Sequence, residues 1–97
     1  MSSVNATRVK GFEDCKNPGD FYITEPNAHE GGMRRLTFQC PCGCGDICGI
    51  RIRDDGQQDS YSWGWNRNHD KPTTTPSIRI GEDHWHGHLT DGVFKPC

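Results

Sequence analysis

The sequence predicts an all-β fold, either a single small sheet or a sandwich, with five to seven short strands and little helix. Several short segments alternate apolar and polar residues with a period of two, which is the pattern of half-buried strands. Clusters of Gly, Pro, Asn and Asp separate these segments. No segment keeps a helical period over ten residues, so long helices are excluded.

Seven segments carry the strand pattern in chain order. The second segment, residues 35–39, places Leu36 and Phe38 on one face. The third segment, residues 50–53, places Ile50 and Ile52 on one face and ends at the turn formers of residues 54–56. The last two segments are joined by a hairpin-like turn at residues 91–92. The predicted strands are residues 21–24, 35–39, 50–53, 61–65, 77–80, 85–89 and 93–94.

Composition limits the class of protein. The 97 residues suffice for one domain, and with 31% hydrophobic residues packing alone would leave it marginally stable. The net charge of −2 disfavours nucleic acid as a partner, and no apolar run is long enough to span a membrane. The N-terminus has no apolar signal-peptide region, so the thiols are expected to be reduced. We expect residues 1–20 to form a partly ordered polar arm and residues 21–97 a single β domain.

The run of Cys40, Cys42 and Cys44 is the sharpest chemical feature of the sequence. Thiolates are preferred zinc ligands, and the intervening proline and glycine allow a tight loop to direct them at one ion. Three cysteines within five residues cannot easily form disulfides with each other. The spacing predicts a structural zinc ion and a zinc-ribbon-like fold, and it leaves open which two of the three bind. Cys15 and Cys48 are expected to be buried bystanders.

The remaining zinc ligands are sought near the C-terminus, where His84, His86, His88 and Cys97 are available. On a strand the three histidines would share a face, and a three-histidine site with an open position would be a zinc hydrolase, with Glu82 as a candidate base. No H-E-x-x-H motif accompanies them. A single histidine acting as a structural ligand is therefore the favoured interpretation.

Aromatic and hydroxyl residues offer two further interpretations. Tyr61, Trp63 and Trp65 could stack nucleobases, but the acidic net charge favours their forming the core. A nucleophilic role for Ser77 is rejected because it lacks a G-x-S-x-G context.

Four sequence blocks resemble a family of small uncharacterised proteins of tailed phages and prophages, some of which carry a mistaken ammonia monooxygenase label. The blocks are C-P-C-G-C-G within residues 36–45, W-x-W-N at 63–66, P-T-x-x-P-S-I at 72–78 and W-H-G-x-L-T-x-G at 85–92. A closing Cys97 completes the resemblance. It implies a phage origin and a zinc-bound β fold without an established activity. It also implies that His86 and Cys97 complete the metal site.

A site closed by four protein ligands has no position for a reactive water. The sequence therefore predicts a phage-encoded, non-enzymatic, zinc-stabilised binding protein that acts on a host or phage protein in the host cytoplasm. One alternative is a virion accessory protein of the capsid, collar or tail, in which Cys15 and Cys48 could form disulfides. The other is a small zinc hydrolase that uses His84, His86 and His88.

Overall fold

The chain folds into two β-sheets, which a computed structural model describes for residues 3–55, 57, 62–81 and 84–96. The prediction of an all-β fold is confirmed. The six-stranded sheet contains, in spatial order, β2 (Thr7–Arg8), β3 (Asp20–Ile23), β4 (Arg34–Gln39), β5 (Ile47–Arg53), β6 (Trp63–Trp65) and β7 (Thr74–Thr75). The four-stranded sheet contains β1 (Val4–Asn5), β10 (Val93–Pro96), β9 (Trp85–Thr90) and β8 (Ile78–Ile80). Two 3₁₀ turns, Phe12–Asp14 and Ala28–Glu30, complete the described elements.

The described part of the chain thus holds ten strands where the sequence predicted five to seven. The additional strands, β1, β2 and β7, have two residues each, which is too short for an alternation to be visible. Two of them lie in the segment that we expected to be a polar arm: β1 pairs with β10, and β2 pairs with β3. No helix in the described residues has the length and hydrophobicity that a membrane-spanning segment needs.

The inner faces of the two sheets pack together and form the core. Phe38 on β4 meets Phe94 on β10 with ring centroids 5.0 Å apart, and Trp85 on β9 contacts Phe94 edge-on at 6.0 Å. Burying each large apolar side chain contributes about 1.5–3 kcal/mol, so these rings are a major part of what joins the sheets. Of the predicted aromatic core, Trp65 is buried, Trp63 is half-buried and Tyr61 lies outside the described residues.

The chain crosses between the sheets in two short links. Ala6 separates β1 from β2, and its amide donates to the Gly92 carbonyl at 2.8 Å. Residues 76–77 separate β7, an edge strand of one sheet, from β8, an edge strand of the other. Ser77 therefore lies at the junction of the two sheets.

Gly87 allows strands β9 and β10 to pack closely. A Cβ atom built on Gly87 would lie 2.3 Å from the Lys95 carbonyl oxygen and 2.7 Å from the Trp85 ring. Because a backbone atom is in the way, any larger residue would push the strands apart. The glycine between His86 and His88 is thus required by packing.

Asp54 fastens the end of β5 to its neighbours. Its carboxylate accepts hydrogen bonds from Trp65 Nε1 at 2.9 Å and from Arg34 Nε at 3.0 Å. Burial acts to raise the pKa of Asp54, but the hydrogen bonds from Arg34 and Trp65 outweigh it and leave the pKa lowered. The charged form is therefore the one that the fold stabilises.

We expect Asp54→Asn to lower the free energy of unfolding at pH 7 by about 1 kcal/mol. This is less than a fully buried charge-assisted hydrogen bond contributes, because Asp54 is partly exposed to solvent. Because the pKa of Asp54 is lowered in the folded state, its carboxylate stabilises the fold at pH values above the ordinary pKa of aspartate. This stabilisation is lost as the pH falls through the pKa that Asp54 has in the folded state. The difference between wild type and variant should accordingly narrow below about pH 4 in urea titrations.

Asp55→Asn is the matched control, since Asp55 pairs with Arg53 at the surface at 2.8 Å. It should leave the urea midpoint nearly unchanged at pH 7. Equal effects of the two substitutions would contradict the role given to Asp54.

Candidate metal centre and catalytic pair

Three thiols and one imidazole come together between the two sheets. The ligand atoms of Cys40, Cys42, Cys44 and His84 all lie within 4.8 Å of one another. His84 Nε2 is 3.1 Å from the Cys42 sulfur and 3.2 Å from the Cys44 sulfur. One ion could contact all four atoms, and three sulfurs with one nitrogen suit a closed tetrahedral site. These four residues are thus compatible with a structural metal ion, as the cysteine run predicted, although the histidine is His84 and not the expected His86.

The loop between β4 and β5 brings the three thiols together. Its two ends are joined by a hydrogen bond of 2.8 Å from the Cys40 amide to the Asp46 carbonyl. Gly43 and Gly45 adopt φ values of 91° and 87°, which a residue with a side chain rarely adopts, so the loop reverses within a few residues. The Asp46 amide also points at the Cys44 sulfur at 3.5 Å, as backbone amides do around bound thiolates.

Burial and hydrogen bonding move the pKa values of Cys40 and Cys42 in opposite directions. Burial raises the pKa of Cys40 to about 12, and its thiol donates to the Cys42 sulfur at 3.2 Å. That hydrogen bond lowers the pKa of Cys42. A metal ion that binds here must displace the Cys40 proton, and its positive charge would then offset three clustered thiolates.

The structure distributes the predicted ligands differently from the sequence analysis. His84 lies in the turn before β9 and faces the thiols, whereas His86 lies within β9 and faces Ser77. Alternation along β9 explains this: Trp85, Gly87 and Leu89 point inward, so His86 and His88 project from the outer face. Cys97 lies outside the described residues, so its predicted role stays a prediction.

The three-histidine hydrolase site is not assembled. His84 contacts thiols and His86 contacts a hydroxyl, so these imidazoles do not converge on one centre. Cys15 and Cys48 carry free thiols outside the cluster, and burial raises the pKa of each.

Ser77 and His86 form a second arrangement, which the sequence analysis missed. Ser77 Oγ lies 2.9 Å from His86 Nε2. Ser77 is half-buried at the junction of the sheets, and its carbonyl accepts a 3.2 Å hydrogen bond from Trp63 Nε1. A hydroxyl within hydrogen-bond reach of an imidazole is the geometry of a nucleophile and its general base.

The register of the hairpin brings these two side chains together. Ile78 pairs with Gly87, so Ser77 falls one position beyond the ladder, diagonal to His86 on the same face. Among the residues that the structure describes, no carboxylate is hydrogen-bonded to His86. Within those residues the arrangement is therefore a Ser–His dyad. The absence of G-x-S-x-G does not decide the role of Ser77, since that motif describes one strand-to-helix turn and this serine precedes an edge strand.

One protein-family model matches residues 8–97, and its description is bacterial ubiquitination-like system serine protease (BubE). No curated protein and no solved structure matches the chain.

This match corrects several expectations. The predicted non-enzymatic binding protein is contradicted, because the family is described as a serine protease. The virion and zinc-hydrolase alternatives are overturned by the same description. The expected locations, the cytoplasm of an infected host or a virion, are also wrong, because the family belongs to a bacterial system. The sequence analysis weighed a serine nucleophile at Ser77 and rejected it, so it predicted no protease.

The cluster predicts one equivalent of metal per chain, measurable by mass spectrometry of the purified protein. Cys42→Ser and His84→Ala should each reduce the metal content to less than half and lower the melting temperature, because structural metal contributes on the order of 10 kcal/mol in small domains.

Cys48→Ser and His86→Ala are the matched controls, one thiol and one imidazole from outside the cluster. Both should retain the metal. Loss of the metal from His86→Ala together with its retention in His84→Ala would refute the ligand set.

Proposed function

This chain belongs to the BubE family, and we propose that Ser77 and His86 are its protease machinery. The observation that supports this most directly is the 2.9 Å contact between Ser77 Oγ and His86 Nε2. The family description requires a nucleophilic serine, and among the described residues the structure records a serine hydroxyl facing an imidazole at this position.

The chemistry follows from the geometry. Ser77 Oγ attacks the carbonyl carbon of the scissile peptide bond while His86 Nε2 accepts the hydroxyl proton. His86 then gives that proton to the departing amine, which leaves an ester on Ser77. Water enters, loses a proton to His86 and releases the acid, and the proton returns to Ser77. The starting protonation states are thereby restored.

Neighbouring groups hold the nucleophile in place. Trp63 Nε1 binds the Ser77 carbonyl, so the backbone of Ser77 is fixed to β6 of the other sheet. The backbone of His86 is held by the strand pairing of β9 with β8 and β10. Each reacting side chain thus has a rigid backbone, which favours a constant distance between them.

We propose zinc as the ion of the cysteine cluster, since three thiolates and an imidazole form a soft donor set that zinc favours. Four protein ligands would close the coordination sphere, so the ion would serve structure. Its position supports this role, because His84 lies two residues before His86 and the thiols belong to the β4–β5 loop. The ion would hold the start of β9, and with it the general base.

The substrate class follows from the family description. A serine protease cleaves peptide bonds, so we propose a polypeptide substrate. The exposed, outward position of His86 on a sheet face suits a large substrate.

Ser77→Ala and His86→Gln should each lower kcat/KM by about 10³-fold or more, as removal of a nucleophile or its base does in other serine proteases. A fluorophosphonate reagent should label the wild type at Ser77, as located by peptide mass spectrometry.

Ser3→Ala and His29→Gln, at exposed positions outside the pair, are the controls and should keep both activity and labelling. Full activity in Ser77→Ala would contradict the proposal.

The positioning role of His84 has a separate test. His84→Ala should lose zinc and most activity, whereas His84→Cys should retain zinc through a four-cysteine site and recover activity. Fluorophosphonate labelling of Ser77 should follow zinc content across the two variants. An active, zinc-free His84→Ala would show that the metal does not support the catalytic pair.

A further inference from the structure

One edge of the six-stranded sheet presents unpaired backbone groups. β2 is the outermost strand at this edge and runs parallel to β3. The Thr7 amide donates to the Gly19 carbonyl at 3.1 Å, and the Val9 amide donates to the Phe21 carbonyl at 2.8 Å. Because successive residues of a strand direct their N–H and C=O groups to opposite sides, those of Arg8 point away from β3. Among the residues that the structure describes, the Arg8 amide and carbonyl have no partner, so this edge can accept a further strand.

A surface cavity beside this edge can accept a side chain. Its volume is about 410 Å³, and its lining residues are Arg8, Val9, Lys10, Tyr22 and Ile23. The valine, the tyrosine and the isoleucine are half-buried and supply apolar atoms. Phe12, two residues after Lys10, is 61% exposed, so apolar surface is also present on the adjoining turn. An added strand would direct alternate side chains to the same face, and this cavity favours an apolar one.

Charge disfavours a second copy of this chain as the added strand. Symmetric antiparallel pairing centred on Arg8 would place Arg8 of one copy opposite Arg8 of the other, and like charges directly opposite destabilise a strand pair. Asp70, 3.2 Å from Arg8, offsets this repulsion only in part, because both side chains are exposed to solvent. Cationic side chains on an edge strand also discourage pairing between copies. The edge therefore favours a segment of a different polypeptide.

We propose that the β2 edge binds an extended segment of another polypeptide, which adds to the six-stranded sheet and places an apolar side chain in the adjacent cavity. Main-chain hydrogen bonds to Arg8 would supply affinity, and the cavity would supply selectivity. β2 and β7 are the opposite edges of this sheet, and Ser77 follows β7. The site is thus separate from the proposed catalytic pair and would hold a partner without cleaving the bound segment.

Binding is tested with the capped heptapeptide Ser-Thr-Val-Thr-Val-Thr-Ser, whose valines share one face when it is extended. Titrated into ¹⁵N-labelled Ser77→Ala protein, it should shift the amide signals of residues 6–10 and 20–23. The control peptide, with Asp in place of both valines, should shift them less. Absence of these shifts at about 2 mM valine peptide, or equal shifts with the two peptides, would overturn the proposal.

Arg8→Pro removes the outward amide, and Arg8→Ala is its matched control, because it loses the same side chain and keeps the amide. The Arg8 amide makes no hydrogen bond within the described fold, and proline is tolerated on edge strands, so both variants should melt at the same temperature. The valine peptide should bind Arg8→Ala like the wild type and Arg8→Pro at least about fivefold more weakly, the loss expected for one main-chain hydrogen bond. Equal affinities of two folded variants would refute strand addition.

Methylated peptides test the same bonds on an unaltered β2. Only alternate amides of an added strand face β2, so methylation of either the valine amides or the threonine amides should abolish binding, and methylation of the other set should not. Equal effects of the two sets would contradict the proposal. A dimer of the free protein that Arg8→Pro dissociates, measured by sedimentation, would assign the edge to a second copy instead. None of these measurements needs turnover, so failure of Ser77 labelling would remove the protease proposal alone.

Discussion

The antiparallel pairing of β8 with β9 divides three histidines within five residues between two different environments. In the observed register Trp85, Gly87 and Leu89 face the core, and His86 and His88 face outward. His84, just before the strand, is left in the turn, where it reaches the thiols. A slip of one residue would turn the histidines into the core and expose Trp85 and Leu89, so burial of the inward set fixes the register.

The same hairpin joins the candidate metal centre to the proposed catalytic pair through the chain itself. The thiols belong to the loop of one sheet, and His84 belongs to the turn of the other. A bound ion would therefore cross-link the sheets beside the Phe38–Phe94 contact. In a domain with few hydrophobic residues, such a link supplies rigidity that packing alone does not, and rigidity is what a two-residue catalytic pair needs.

Local pattern in the sequence was sufficient for the fold class and for the cysteine cluster. Alternation predicted the longer strands, and the spacing of Cys40, Cys42 and Cys44 predicted that two of the three would bind a metal, whereas the structure brings all three thiols together. Whether His84 or His86 reaches the thiols could not be predicted, because it depends on the residue at which β9 begins. The start of β9 leaves His84 in the turn and fixes the face on which His86 projects. The Ser77–His86 contact depends on the hairpin register, which is a tertiary property. The two-residue strands β1 and β2 owe their pairing to neighbours distant in sequence.

His86 lies on an exposed sheet face and Ser77 is half-buried beside it, and this partial exposure determines how the proposed pair can operate. In the free protein, water competes for both partners, and its high dielectric constant weakens the electrostatic stabilisation of a developing imidazolium. A polypeptide substrate bound beside the pair would displace that water and surround the charge with fixed dipoles. The substrate would then form part of the enclosure around the reacting groups. Selectivity for a particular protein and activation of the serine would thereby result from the same docking event.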